Sequence, residues 1–136
     1  MISDNKIWMT AENEKELEQL QDIFNQHKDE YQRLFIFYKE LKPFLTFDYI
    51  QIGKYKDFYE LSGILYINER AYKLDGFKAE VTLNVKYFKQ LFKKLTENTK
   101  IKSHEPIIIV FGKDLPVFIQ IKNKIGVIAP MIEGEY

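Results

Sequence analysis

In the N-terminal third, apolar or aromatic residues recur at alternating steps of three and four: Leu17, Leu20, Phe24, His27, Tyr31, Leu34, Tyr38 and Leu41. Steps of that kind return to one side of a 3.6-residue turn, so they predict a first helical region over 10–43 with a single buried stripe. Thr10 is placed to cap its start, Glu12 and Glu14 put negative charge in the first turn where the helix dipole favours it, and Pro43 marks the far end. The denser cluster from Leu34 to Tyr38 admits a break near Asp29 and Glu30 with a second, more buried helix after it, so one helix and two both remain open. Ahead of this region, Lys6 to Thr10 can form a short first strand.

Past Phe44 the period changes. Phe44 to Ile52, Phe58 to Ile67 and Phe77 to Leu83 are rich in β-branched and aromatic residues and predict strands, with Gly53-Lys54, Asn68-Glu69 and Asp75-Gly76 as the turn signals that punctuate them. Thr82 to Asn84 can cap a second helix over 84–97, and a polar loop from Asn98 to Glu105 leads into a C-terminal β-meander over 106–130. Its strands are Pro106–Phe111, Val117–Ile121 and Ile125–Ala129; Gly112-Lys113-Asp114 and Lys122-Asn123-Lys124 form the corners, and Pro130, which has no N–H to donate, ends the pairing. The predicted order is β-α-βββ-α-βββ, an α+β fold in one domain of 136 residues, with two helices packed on one side of curved antiparallel sheet.

Composition narrows the chemistry. Hydrophobic residues make up 46% of the chain and aromatic residues 15%, enough for a real core, while 20 basic and 20 acidic residues cancel. No global field steers the chain to nucleic acid or membrane, so any such contact must come from charge gathered on one face. With no cysteine, disulfides, thiolate catalysis and Cys-ligated zinc are all excluded. No apolar run approaches the roughly 20 residues that span a bilayer, and the N-terminus lacks a signal-peptide pattern, so a soluble cytoplasmic protein with no membrane partner is expected. The glycines stand singly among turns and strands, with no phosphate loop, nucleophile motif or metal-ligand spacing; neither an enzyme nor a cofactor is expected. His27 and His104 are far apart in sequence, and His27 reads as a hydrogen-bonded interior or boundary histidine.

Phe111-Gly112-Lys113-Asp114-Leu115-Pro116, followed by a strand pair and then Ile128-Ala129-Pro130-Met131-Ile132-Glu133, resembles the C-terminal end of archaeal and eukaryotic DNA sliding clamps, the proliferating cell nuclear antigen family. The helix Asn84 to Leu95 resembles the one that precedes that end. Likeness in letters runs from about Lys78 to Glu133. The first half is similar only in element order, since clamp domains too are built from two halves of a helix followed by about three strands.

The resemblance implies where function would lie. On the second helix, Val85, Phe88, Leu91, Phe92 and Leu95 cluster on one side by geometry, and Lys86, Gln90, Lys93 and Glu97 lie opposite, flanked by Lys94 and more loosely by Lys89. Taken alone, that polar side is a solvated helix face. The clamp likeness implies that Lys86, Lys89, Lys93 and Lys94 contact the backbone of double-stranded DNA without reading bases. It further implies that Ile128, Ala129, Pro130, Met131 and Ile132 form one wall of a site for DNA polymerase or other clamp-binding proteins. One domain per chain then requires a homo-oligomeric ring or pairing with another clamp subunit through sheet edges. The expected function is a non-catalytic, minimal sliding-clamp-like accessory protein of DNA replication or repair. The alternative is a clamp-fold interaction protein, monomeric or dimeric, that binds a protein partner and not DNA, its acidic first helix filling the surface that clamps offer to DNA.

Overall fold

The computed structural model describes residues 8–56, 58–65, 70–72, 77–97 and 99–131. The fold is α+β: α-helices packed on two antiparallel sheets. Along the chain run β1 (Trp8–Thr10), α1 (Glu14–Asn25), β2 (Gln32–Phe37), α2 (Tyr38–Leu41), β3 (Tyr49–Tyr55), β4 (Phe58–Leu65), β5 (Arg70–Tyr72), β6 (Lys78–Asn84), α3 (Val85–Leu95), β7 (Pro106–Phe111), β8 (Val117–Ile121) and β9 (Lys124–Ile128). Short 3-10 turns occupy Lys28–Glu30 and Lys42–Thr46. The first sheet has the order β1-β9-β8-β7-β2 and the second β5-β4-β3-β6.

The first half departs from the expected long helix. Asn13, not Thr10, caps α1: its Oδ1 accepts from the Glu16 N–H at 2.9 Å, and the Glu16 carboxylate accepts from the Glu12 N–H at 2.8 Å. Thr10 instead ends β1, opposite Gly126. The helix stops at Asn25, and the segment expected to be a second buried helix is β2, paired along its length with β7 from Gln32↔Phe111 to Phe37↔Pro106. The spacing fits both answers, because Leu34 and Ile36 turn inward to the core while Phe35 is exposed, a period of two that the wider stripe concealed. Periodicity cannot separate the two over so few residues, and the ladder offered by β7 decides.

Three smaller expectations fail nearby. Residues 44–46 belong to a 3-10 turn opened by Pro43, so the strand begins at Tyr49. Gly53-Lys54 is not a turn but lies inside β3, where the register to β6 shifts between Ile52 and Gly53. Any Cβ at Gly53 would collide with the Lys78 carbonyl, so this irregular pairing needs glycine. Among the described residues five strands, not three, separate the helices α1 and α3, the additional ones being β2 and β5, which pairs with β4. The turn signals at 68–69 and 75–76 lie outside the described residues.

The second half follows the expected pattern. Asn84 caps α3, accepting from the Lys86 N–H at 2.9 Å, and the meander strands fall within one residue of their predicted bounds. All five residues assigned to the inner side of α3 are buried. They join Val117, Ile119 and Ile121 from the first sheet and Ile50, Ile52, Val81 and Leu83 from the second, so α3 closes the main core between the sheets. Gly126 lets the helix lie close on β9, since a Cβ there would sit 2.5 Å from Leu91 Cδ1 and 3.1 Å from the Met9 carbonyl.

The two main helices do not share one side of the sheet. Strand alternation turns Phe118 and Val127 to the opposite face from Val117, Ile119 and Ile128, and there they pack with Leu20, Ile23 and Phe24 of α1. Phe24, Tyr31 and Phe118 form a ring cluster with centroids 5.1–5.9 Å apart, and the Tyr31 hydroxyl donates to the Pro116 carbonyl at 2.7 Å. The layers run α1, first sheet, then second sheet with α3.

Candidate nucleic-acid interface

Asn84 fixes where α3 starts, and the buried side of the helix fixes its rotation. Together they leave Lys86, Lys89, Gln90 and Lys93 on the outer side, within roughly 60° to either side of Lys86 at 100° per residue. These four residues form one wall of an open groove of about 970 Å³, whose other wall is Leu45 to Tyr49. Lys86 and Lys93 are separated by roughly 10 Å along the helix axis at 1.5 Å per residue. Among the described residues Lys86, Lys89 and Lys93 make no ion pair, although the Lys86 ammonium lies 6.0 Å from the Tyr87 ring centroid. The groove therefore has a basic wall and an opposite wall with Leu45, Phe47, Tyr49 and one acid, Asp48.

Lys94 stands apart from these three. Its ammonium contacts Glu12 at 3.2 Å and Glu97 at 3.3 Å, and hydrogen bonds first to Glu12 and then to Glu97 hold its pKa above the ordinary lysine value. Two carboxylates already neutralise it, so it adds little to a phosphate contact. Beside it, Trp8 of β1 donates its indole N–H to Gln90 Oε1 at 3.3 Å. Nothing in the spacing of the sequence indicates that residues 45–49 face the lysines, because the β-branched and aromatic content there predicts a strand.

The acidic residues Glu14, Glu16, Glu18 and Asp22 belong to α1, on the other face of the first sheet. They do not oppose the lysines across the groove. By the same geometry, α1 and α3 cannot both line one channel from this face.

In the C-terminal segment, Ile128 cannot form the wall expected of it. Ile128 is 1% exposed and belongs to the main core, so its side chain cannot meet a partner. Ala129, Pro130 and Met131 are half-buried and cross from β9 to the second sheet, where the Met131 N–H donates to the Thr82 carbonyl at 2.8 Å. Ile132 lies outside the described residues.

His27 is on the surface, not interior, with Nδ1 2.5 Å from the Glu30 carboxylate. His104 packs edge-on to Phe37 at 6.1 Å. Among the described residues no group of three or more metal-ligating side chains gathers, and no helix is long and apolar enough to cross a membrane. Compared with known proteins, the chain matches no family model and no curated protein.

Proposed function

We propose that this is a non-catalytic accessory domain that contacts the backbone of double-stranded DNA through the outer side of α3, in the manner of a minimal sliding-clamp-like subunit in replication or repair. The observation that carries the reading is the row Lys86, Lys89 and Lys93 along an open groove, three ammonium groups against the single carboxylate, Asp48, among its lining residues. Such a row neutralises phosphates but reads no base, so binding is non-specific in sequence and weakened by salt. Assembly of several copies, or pairing with another clamp subunit through sheet edges, would turn a weak contact into retention on DNA.

The test is fluorescence anisotropy on a random-sequence duplex across a salt series. Three phosphate contacts give a log–log salt slope of roughly −3, and Lys86→Glu/Lys89→Glu/Lys93→Glu abolishes binding while the circular dichroism spectrum is kept. A flat salt dependence, or a triple variant that binds as well as the parent, defeats the reading.

A second reading, a clamp-fold protein that binds a protein partner and no DNA, is favoured by the placement of α1 on the opposite face, which leaves one basic helix per domain instead of two. A stable monomer by light scattering that ignores duplex DNA at low salt selects it.

A further inference from the structure

Free sheet edges are not distributed evenly. The outer edge of β6 is tied down by two loops, with the Asp114 N–H donating to the Glu80 carbonyl at 3.3 Å and the Met131 N–H to the Thr82 carbonyl. On the other side of the sandwich, β2 ends the first sheet among the described residues, and the described residues of β5 pair with β4 from Gly63 to Leu65. Among the described residues, the outward backbone groups of β2, which alternate along an antiparallel edge strand, meet no further strand, and of them the Phe37 N–H is taken by the Glu40 carboxylate. The strands β2 and β4 line one slot of about 300 Å³, formed by Leu34, Phe35 and Ile36 on one side and Tyr59, Glu60 and Leu61 on the other, with Glu40 and Phe44 closing it.

Natural edges are usually blunted by proline, lysine or a bulge, and β2 has no such protection: Gln32-Arg33-Leu34-Phe35-Ile36-Phe37 has one charge and no proline. Phe35 is 60% exposed on this strand and stacks edge-on with Phe37, and Phe58 at the head of β4 is 69% exposed. These are two of the largest apolar side chains left in water, one on each of the facing strands.

We infer that this slot binds an extended peptide segment of a partner protein, added as a strand to β2, with alternating apolar and basic residues. Backbone pairing to β2 supplies the affinity common to any strand. Alternation supplies the selectivity. Side chains pointing inward meet Leu34, Phe44, Tyr59 and Leu61, and those pointing outward pass Glu60 and Phe35 at the rim, where a lysine or arginine gains both a carboxylate and an aromatic face. Glu60 makes no ion pair among the described residues, and the Glu40 carboxylate accepts only the Phe37 N–H, at 3.0 Å, so both carboxylates favour a basic strand over an acidic one. This surface is separate from the lysine groove and does not depend on DNA binding.

The experiment uses the full chain and three labelled ten-residue peptides: one alternating lysine and valine, one alternating glutamate and valine, and the lysine peptide N-methylated at every second backbone amide. Only the first binds, as read by fluorescence anisotropy. Phe35→Lys and Glu60→Lys each weaken it by about tenfold or more, a change typical of losing a central contact. Lys86→Glu/Lys89→Glu/Lys93→Glu leaves it unchanged, so loss of DNA binding and loss of peptide binding are separable. Equal binding of the N-methylated peptide shows that strand pairing is not involved, equal binding of the acidic peptide shows that the carboxylates do not select, and either overturns the inference. So does a dimer that excludes the peptide and is lost in Phe35→Lys, which would assign the edge to a second copy of the chain.

Discussion

Helices α1 and α3 begin alike and end up at different depths. Each is capped by an asparagine whose Oδ1 accepts a first-turn N–H at 2.9 Å, and each has one apolar side and one charged side. Yet α3 buries Val85, Phe88, Leu91, Phe92 and Leu95 where the inner faces of both sheets meet, whereas α1 buries only Leu20 and Ile23 against the back of one sheet. Amphipathic pattern alone does not set how much a helix contributes to stability. What matters is how many apolar surfaces converge on it, and α3 meets two sheets where α1 meets one.

The largest test of that contrast is a pair of truncations. Phe88→Ala should cost about 3–5 kcal/mol in urea unfolding and lower protection from hydrogen exchange across the whole chain. Leu20→Ala should cost about 2–4 kcal/mol at most, with the loss of protection concentrated in α1. If the two variants lose protection over the same amides, the helices belong to one cooperative unit and the contrast fails.

A smaller effect tests the anchor of the α1 layer. Tyr31→Phe removes the hydrogen bond to the Pro116 carbonyl and should cost about 1 kcal/mol. Burial, with a lesser contribution from the Glu30 charge, pushes the Tyr31 pKa up to about 12. A raised folded-state pKa for an acidic hydroxyl means that the folded state holds the proton longer than the unfolded chain. Its stabilisation is therefore complete below the ordinary tyrosine pKa near 10 and lost as pH rises from there through about 12. Denaturation midpoints measured from pH 9 upward should fall more steeply for the parent than for Tyr31→Phe; parallel curves would place Tyr31 in water.

The smallest effect belongs to Lys94, whose ion pair with Glu12 ties α3 to the loop leading into α1. Lys94→Met removes exposed ion pairs to Glu12 and Glu97, so any loss of stability should be slight and should vanish in high salt. A large loss that persists in salt would mean that the helices are coupled through this corner after all.

How much could be read in advance differs between the halves for a physical reason. The cap at Asn84, the inward side of α3, the turn at 112–114 and the corner at 122–124, whose last residue opens β9, are set by neighbours a few residues away and were legible to within a residue. In the candidate site, the same local geometry was enough to put Lys86 and Lys93 on the outer side of α3. It did not reveal the facing wall at 45–49, the carboxylates on Lys94 or the burial of Ile128, since each depends on segments distant in sequence. The segment 32–37 was legible in neither respect, because its letters satisfy helix and strand equally and only pairing with β7 separates them.

The amino-acid sequence by itself determined the α+β class, the extent and rotation of α3, the C-terminal meander and the row of lysines, because caps, turns and short-range periodicity are local properties of the chain. Tertiary structure alone decided that β2 is a strand, that α1 and α3 lie on opposite faces of one sheet, that Lys94 is neutralised, and that β2 and β4 face each other across an open slot. Those outcomes rest on which distant backbone offers hydrogen bonds and which faces converge, and no short stretch of sequence encodes either.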